Sequence, residues 1–248
     1  MHSYEKKLLS NIIHAIHVHS PILKIKRILK DLSSTTFDSD FNMINIVEIP
    51  LLINTSVREF LNSIPDFQIL TLFEQRSLLD RNFHAIVNFY SIGIFHDVNL
   101  INETYCFKNL MSIYGFEMIL NIIHLNKRID IDLTVIKLML PVLAFSTNCS
   151  IINSEDKSSN DSLLFGTYHL LGSQNIYVDI LWKYFLYQYG YFESARRFTQ
   201  LIKVCLDQIT CSHMNHSIHR DLIGHFLHTT KQSLSQNQNE FIPIWGIT

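Results

Sequence analysis

A single proline set between two apolar helical runs constrains this chain more than any other feature. The stretch from Val57 to Asn82 reads VREFLNSIPDFQILTLFEQRSLLDRN. Val57, Phe60, Leu61 and Ile64 recur at helical spacing and mark one face of a helix. Pro65 has no backbone N–H and biases Ile64 away from helical geometry, so the first helix is expected to stop there. Beyond the corner, Ile69, Leu72, Phe73, Leu78 and Leu79 form a second apolar run, expected to be the face of a second helix, with Glu74-Gln75 near its centre. The next segment, Asn82 to Phe95, carries FHAIVNFYSIGIF and is apolar nearly all round. Such a helix has no solvent face and is expected to be buried on every side.

The rest of the chain supplies more helices. Leu8, Leu9, Ile12, Ile13 and Ile16, then Ile22, Ile25, Ile28 and Leu29, predict two helices divided by Pro21. Ser33 to Asp40 reads as a polar loop. Ile44 to Ile64 is expected to be a long helix, which either kinks at Pro50 or begins near it with Pro in the first turn. Val98, Leu100, Ile101, Tyr105 and Phe107, within Asp97 to Lys108, are compatible with a short β-hairpin. Ile113 to Ile129 is apolar and helical in pattern. Asp130 to Ser146 predicts a helix capped by Asp132 or Thr134 and kinked at Pro141. Asn153 to Ser162 is a polar linker. Gln174 to Tyr191 carries a stripe of Ile176, Ile180, Leu181, Tyr184, Phe185 and Tyr187. Glu193 to Lys231 reads as one long helix with Ala195, Phe198, Leu201, Ile202, Cys205 and Ile209 as its stripe.

Composition narrows the function classes. With 47% hydrophobic and 17% charged residues in 248, a large core is available and disorder is not expected. Net charge is −2 with no basic block, so the chain carries no electrostatic footprint for direct nucleic-acid contact. Cys106, Cys149, Cys205 and Cys211 form no CxxC, which removes a structural zinc module. The longest uncharged run, Leu138 to Ser154, holds Pro, Ser, Thr and Asn and is too polar for a membrane span. His213, His216 and His219 recur every three residues, but no HExxH and no carboxylate pair completes a ligand set, so no metal is expected. No GxxxxGK, GxGxxG or GxSxG occurs, and no activated nucleophile is visible; a catalytic role, with any catalytic residue or enzyme cofactor, is not expected.

The Val57–Asn82 stretch resembles the signature of the nuclear receptor (nuclear hormone receptor) ligand-binding domain. That family writes an aromatic, a small residue and a Lys, then Ile/Val-Pro-x-Phe, then Asp-Gln followed by Leu-Leu. Here the positions read Phe60-Leu61-Asn62, Ile64-Pro65-Asp66-Phe67, Glu74-Gln75 and Leu78-Leu79, without gaps. Weaker likenesses follow in chain order: DIDLTVIKLMLPVLAFS resembles the family's eighth helix, DILWKYFLYQYG its ninth, and Arg197-Phe198 with Leu201 the start of its dimerising helix. The resemblance covers roughly residues 40 to 230.

It implies an all-α fold: a three-layer antiparallel helical sandwich of about ten to twelve helices with one small β-hairpin, residues 1–248 forming a single domain. It implies a pocket for a small lipophilic molecule, lined by Ile49, Ile53 and Val57 from the long helix and by Phe83, Val87, Ser91 and Ile94 from the buried one. Several receptors for lipophilic acids carry an anchoring Arg where Gly93 or Ile94 stands here, which disfavours a carboxylate ligand. It implies dimerisation, as a homodimer or with another nuclear receptor, through Arg197, Phe198, Leu201 and Cys205. It implies a groove for a coregulator protein among Arg58, Asn62, Arg76 and Asp80. That groove departs from the family. The Lys that caps a coactivator helix is Asn62, and a second basic position is Asp80, so the charge clamp is expected to be missing. The two-zinc DNA-reading module of the family is also missing from this chain, as in a fragment, a mispredicted gene product or a receptor that acts by pairing. The implied location is the nucleus, with shuttling to the cytoplasm, away from membranes. Two functions follow: a ligand-regulated or ligand-independent regulator of transcription, or a module that cannot bind DNA and titrates other nuclear receptors by dimerising with them.

Overall fold

The computed structural model describes residues 3–34, 39–100, 111, 119–120, 123–124, 132–146 and 167–208, with the backbone alone at 32–34, 39–47 and 167–169. They belong to one compact unit, Met1–His213; a second, Met214–Thr248, lies outside them. Among the described residues the only regular structure is helix, so the fold is all-α in this part. Of the hairpin expected over Asp97 to Lys108, Asp97 ends a helix and Val98–Leu100 are helical turn, while the remainder falls outside the described residues, as do most of Ile113 to Ile129, the polar linker Asn153 to Ser162 and the C-terminal half of the long last helix.

Two helices open the chain, α1 (Ser3–Val18) and α2 (Ile22–Ser34), parted at Pro21 as its missing N–H dictates. α3 (Ser39–Ser63) starts five residues before Ile44, so the polar loop expected from Ser33 to Asp40 shrinks to a short connection. The chain stays helical through Pro50, which settles the choice left open above: Pro50 lies inside α3 and not in its first turn. α4 is the single turn Pro65–Gln68, and α5 runs from Leu72 to Asp97. α6 (Leu133–Ala144) is capped by Asp132, whose side chain accepts from Thr134 N at 2.9 Å, and it continues through Pro141. α7 (Thr167–Tyr189) begins seven residues before Gln174. Gly190, at φ 71° in the left-handed region that suits glycine, then turns the chain into α8, which spans 191–208 of the described residues.

α5 packs on α3 and α6; α6, buried along most of its length, packs also on α7 and α1, and α3 on α2, α4 and α1. α5 joins these two groups. Its rear portion buries Phe83, Ala85, Ile86, Phe89, Tyr90, Ile92 and Ile94, as the all-round apolar pattern requires. It is not a separate helix after the signature, however. Nothing between Leu72 and Asp97 breaks the helix, so the second signature helix and the buried one are the same rod.

α5 and α6 approach closely at one place. A Cβ on Gly93 would stand 2.8 Å from Ile136 Cδ1 and 3.0 Å from Leu133 Cδ1, so a larger residue there requires these two side-chain ends to shift. Polar groups fix the register. Asn82, wholly buried, donates from Nδ2 to the carbonyls of Ala144 (3.2 Å) and Ser146 (2.6 Å), and Gln174 of α7 donates to the carbonyl of Val142 (3.2 Å). A helix C-terminus leaves its last carbonyls without intrahelical donors, and here two neighbouring helices supply them.

Candidate functional site

The proline corner is built from local chemistry. Ile64 takes an extended conformation (φ −78°, ψ 120°), ending α3 and opening α4 with Pro65 in its first turn. Side chains meet carbonyls around this break: Gln68 Nε2 donates to Asn62 O (2.7 Å), and Gln75 Nε2 to Leu70 O (3.0 Å) and to Phe67 O (3.1 Å), which also accepts from Leu70 N (3.3 Å). Thr71 and Glu74 form a capping box at the start of α5. Glu74 N donates to Thr71 Oγ1 at 3.3 Å, and Thr71 N donates to Glu74 Oε2 at 2.9 Å. Phe60, Leu61, Ile64, Phe67 and Leu78 are buried beneath the corner. Asp66 accepts a hydrogen bond from the buried Tyr177 hydroxyl, which ties the corner to α7; Tyr177 also stacks on Phe145 at 5.5 Å. Burial, and then the Asp66 carboxylate, hold the Tyr177 hydroxyl well above the usual phenol range.

One expectation for this corner is corrected. Ile69, Leu72 and Phe73 are not on a buried face: they are 80%, 83% and 64% exposed. Ile69 lies in the turn before the helix, and Leu72 and Phe73 occupy its first turn, where no other element of the described residues covers them. Leu78 alone of the five is fully buried, and Leu79 is half-buried.

The seven residues expected to line a pocket sit on two packed helices. Ile49, Ile53 and Val57 of α3, and Phe83 and Ile94 of α5, are buried in one continuous apolar cluster, with Val87 packed at its margin. Ser91 is half-buried, and its hydroxyl donates back to Val87 O at 2.7 Å within the same helix. Arg58, the residue after Val57, lays its guanidinium over the Phe83 ring, 5.7 Å from the centroid. Arg58, Asn62, Arg76 and Asp80 are all exposed.

The residues expected at a dimer face are placed differently. Leu201 and Cys205 point into the core and are buried. Phe198 is half-buried against Trp182 and Phe185 in edge-to-face contacts at 5.5 and 6.0 Å. Arg197 pairs with Glu193 at 2.7 Å and covers the Tyr189 ring at 4.4 Å. Glu193 is held down to about 2 by the hydrogen bonds from Arg196 and Arg197. On α7 Ile180, Leu181, Tyr184 and Phe185 of the expected stripe lie inside, but its two ends, Ile176 and Tyr187, are exposed, and Tyr177 is buried instead.

Several polar partners escaped the sequence reading. Tyr184 donates to Asp132 and so joins α7 to the cap of α6; burial and the carboxylate push the phenol up to about 12. Burial raises the Asp132 carboxyl, but the hydrogen bonds from Tyr184 and Thr134 outweigh it and leave the pKa below the ordinary value. Lys137 is lowered by burial. The one available signal was an Asn or Tyr inside an otherwise apolar run, as at Asn82, Tyr177 and Tyr184.

No protein-family model matches the chain, and no curated protein matches it either. Among the described residues, no three His, Cys, Asp or Glu come together in a way that could hold a metal ion; His213, His216 and His219 fall outside them. No helix of the described residues is long and apolar enough to cross a membrane.

Proposed function

We propose that the chain is a divergent nuclear receptor ligand-binding domain that regulates transcription in the nucleus through protein contacts, without touching DNA itself. The observation that carries this reading is the division of labour in the Phe60–Leu79 corner. The positions that match the family signature are the ones with structural work: Ile64-Pro65 breaks the helix, Phe67 and Leu78 are buried, and Gln75 donates to the carbonyls of Phe67 and Leu70 in the turn. A generic proline turn needs apolar residues but no glutamine at that position. On this reading the complete domain is a three-layer sandwich of about ten to twelve helices with a small hairpin. The α3 and α5 faces of Ile49, Ile53, Val57, Phe83, Val87, Ser91 and Ile94 receive a small lipophilic molecule.

A second reading, a dimerisation module that titrates DNA-competent receptors, is favoured by the exposed Asn62 and Asp80. Neither can supply the cation that caps the C-terminal carbonyls of a coactivator helix. The dimer contact then lies outside Leu201 and Cys205, which are interior.

Native mass spectrometry of the purified chain tests the receptor reading. A retained lipophilic molecule, or a dimer with a DNA-competent nuclear receptor mixed in, supports it; a bare monomer that pairs with none of a panel of such receptors overturns it. Fluorescence polarisation with an LxxLL peptide separates the two readings. The titrating module gives no saturation at tens of micromolar peptide, whereas an activating domain saturates and loses binding on Asn62→Asp.

A further inference from the structure

Among the described residues, the turn between α7 and α8 exposes the most aromatic surface. From Tyr184 to Phe192 the sequence reads YFLYQYGYF, nine residues with six aromatic rings and no charge. Tyr184 and Phe185 are turned inward. Tyr187, Tyr191 and Phe192 are not: they are 85%, 68% and 89% exposed. Trp182 meets Tyr191 edge-on at 6.4 Å and Phe198 at 5.5 Å, and Phe185 meets Phe198 at 6.0 Å, so α8 folds back along α7 and Gly190 ends a helical hairpin. Tyr191 in turn meets Phe192 at 5.8 Å. A continuous run of edge-to-face rings therefore leads from the core to open solvent. Single apolar residues on a surface are ordinary, but three large rings within six residues, at one end of a hairpin, mark a contact surface.

The charges on either side of this turn are already neutralised. Glu193 pairs with Arg196 at 2.6 Å and with Arg197 at 2.7 Å, and Lys183 pairs with Asp179 at 2.6 Å and with Glu5 at 2.7 Å. The tip thus offers a charged partner no counter-ion. It suits an uncharged aromatic surface, and a second copy of this chain supplies that same surface with no like charge to repel it. An aromatic side chain carries about 150–250 Å², so the three together offer roughly 500 Å² per copy. Two tips in contact cover about 1,000 Å², the lower limit for a specific interface and the size of a reversible dimer. We propose that Tyr187, Tyr191 and Phe192 form a homodimer contact, in which two hairpin tips meet about a two-fold axis. It lies apart from Leu201 and Cys205, which are interior. The contact uses this chain alone and stands whether or not the receptor reading holds.

Sedimentation velocity of the full chain, from about 1 to 200 µM, tests it. A shift from monomer to dimer with a midpoint in the micromolar range supports the proposal. Phe192→Glu, at the most exposed of the three positions, sets two carboxylates at the contact and weakens association by at least about tenfold, while circular dichroism stays that of the parent. Tyr187→Ser, on the other side of the turn, weakens it as well. Leu72→Ser with Phe73→Ser, at the exposed start of α5, leaves it unchanged. Because the contact is uncharged, association at about 500 mM salt is no weaker than at about 50 mM. A monomer at every concentration, a dimer that survives both Phe192→Glu and Tyr187→Ser, or one that dissociates as salt rises overturns the proposal. A chain that pairs with a DNA-competent receptor but not with itself also overturns it, and leaves the receptor reading standing.

Discussion

The two ends of α5 invert the usual rule of polar outside and apolar inside. At its front, Leu72 and Phe73 are exposed; further along, Asn82 is wholly buried. The difference lies in what stands opposite each residue. Asn82 faces the C-terminus of α6, whose loose carbonyls accept its amide hydrogens, so burying it costs little. Leu72 and Phe73 stand at the start of a helix whose first turn projects past the elements packed on it. Helix-start chemistry fixed their position, through Thr71 and Glu74, before burial could. A residue's hydrophobicity states what it would gain from a neighbour; the fold decides whether a neighbour comes.

This contrast breaks most sharply at Gly93. Replacing it with Leu places side-chain atoms where Ile136 and Leu133 already are, and the loss of stability is about 3 kcal/mol by overpacking, read from denaturant unfolding. An unchanged midpoint would mean that α5 and α6 do not approach as described. Next in size is Asn82→Ala. It strands two buried carbonyls and costs about 2–3 kcal/mol, a change that Asn82→Leu does not relieve, because leucine has no donor either. At the exposed end, Thr71→Ala removes half of the capping box and costs about 1 kcal/mol. Smallest is the double change Leu72→Ser and Phe73→Ser, which shifts stability by no more than about 0.5 kcal/mol because both side chains are already in water. A large loss there would show that something covers them in solution.

A pH titration sharpens the same contrast for the buried polar ties. The Tyr184 phenol is raised to about 12 from an ordinary value of 10.0, so its contribution is complete below pH 10 and is lost as pH rises towards its folded pKa. The Asp132 carboxyl is lowered, so its contribution is present above the ordinary carboxylate value and is lost as pH falls through the depressed one. Tyr184→Phe removes the alkaline loss and weakens the acid one; superimposable Tm–pH profiles for the variant and the parent would rule out the bond.

The proline corner was legible because its causes are local. Pro65 ends α3 by steric exclusion, Asp132 caps α6 within one turn, and Pro21 divides α1 from α2, none of which needs a distant partner. The buried rear of α5 was legible for a different reason: a helix apolar on every side has only one environment that suits it. The faces of α7 and α8 were legible in part. Ile180, Leu181, Tyr184 and Phe185 of the α7 stripe, and Leu201 and Cys205 of the α8 stripe, lie inside, but Ile176 and Tyr187 turned outward and Tyr177 inward. Where several faces are apolar, periodicity gives the angles between residues but not the direction of the core.

The amino-acid order by itself determined the breaks at Pro21 and Pro65, the cap at Asp132 and the burial of the rear of α5, because breaks, caps and all-round apolarity act over a few residues. Only the tertiary structure decided which side of each helix meets its neighbour, that Gly93 would meet Ile136 and Leu133, and that Asn82, Tyr177 and Tyr184 would be satisfied in the interior. Those outcomes depend on groups some 40 to 110 residues apart in the chain, such as Tyr177 on Asp66, and close packing with paired hydrogen bonds is specified only once both partners are in place.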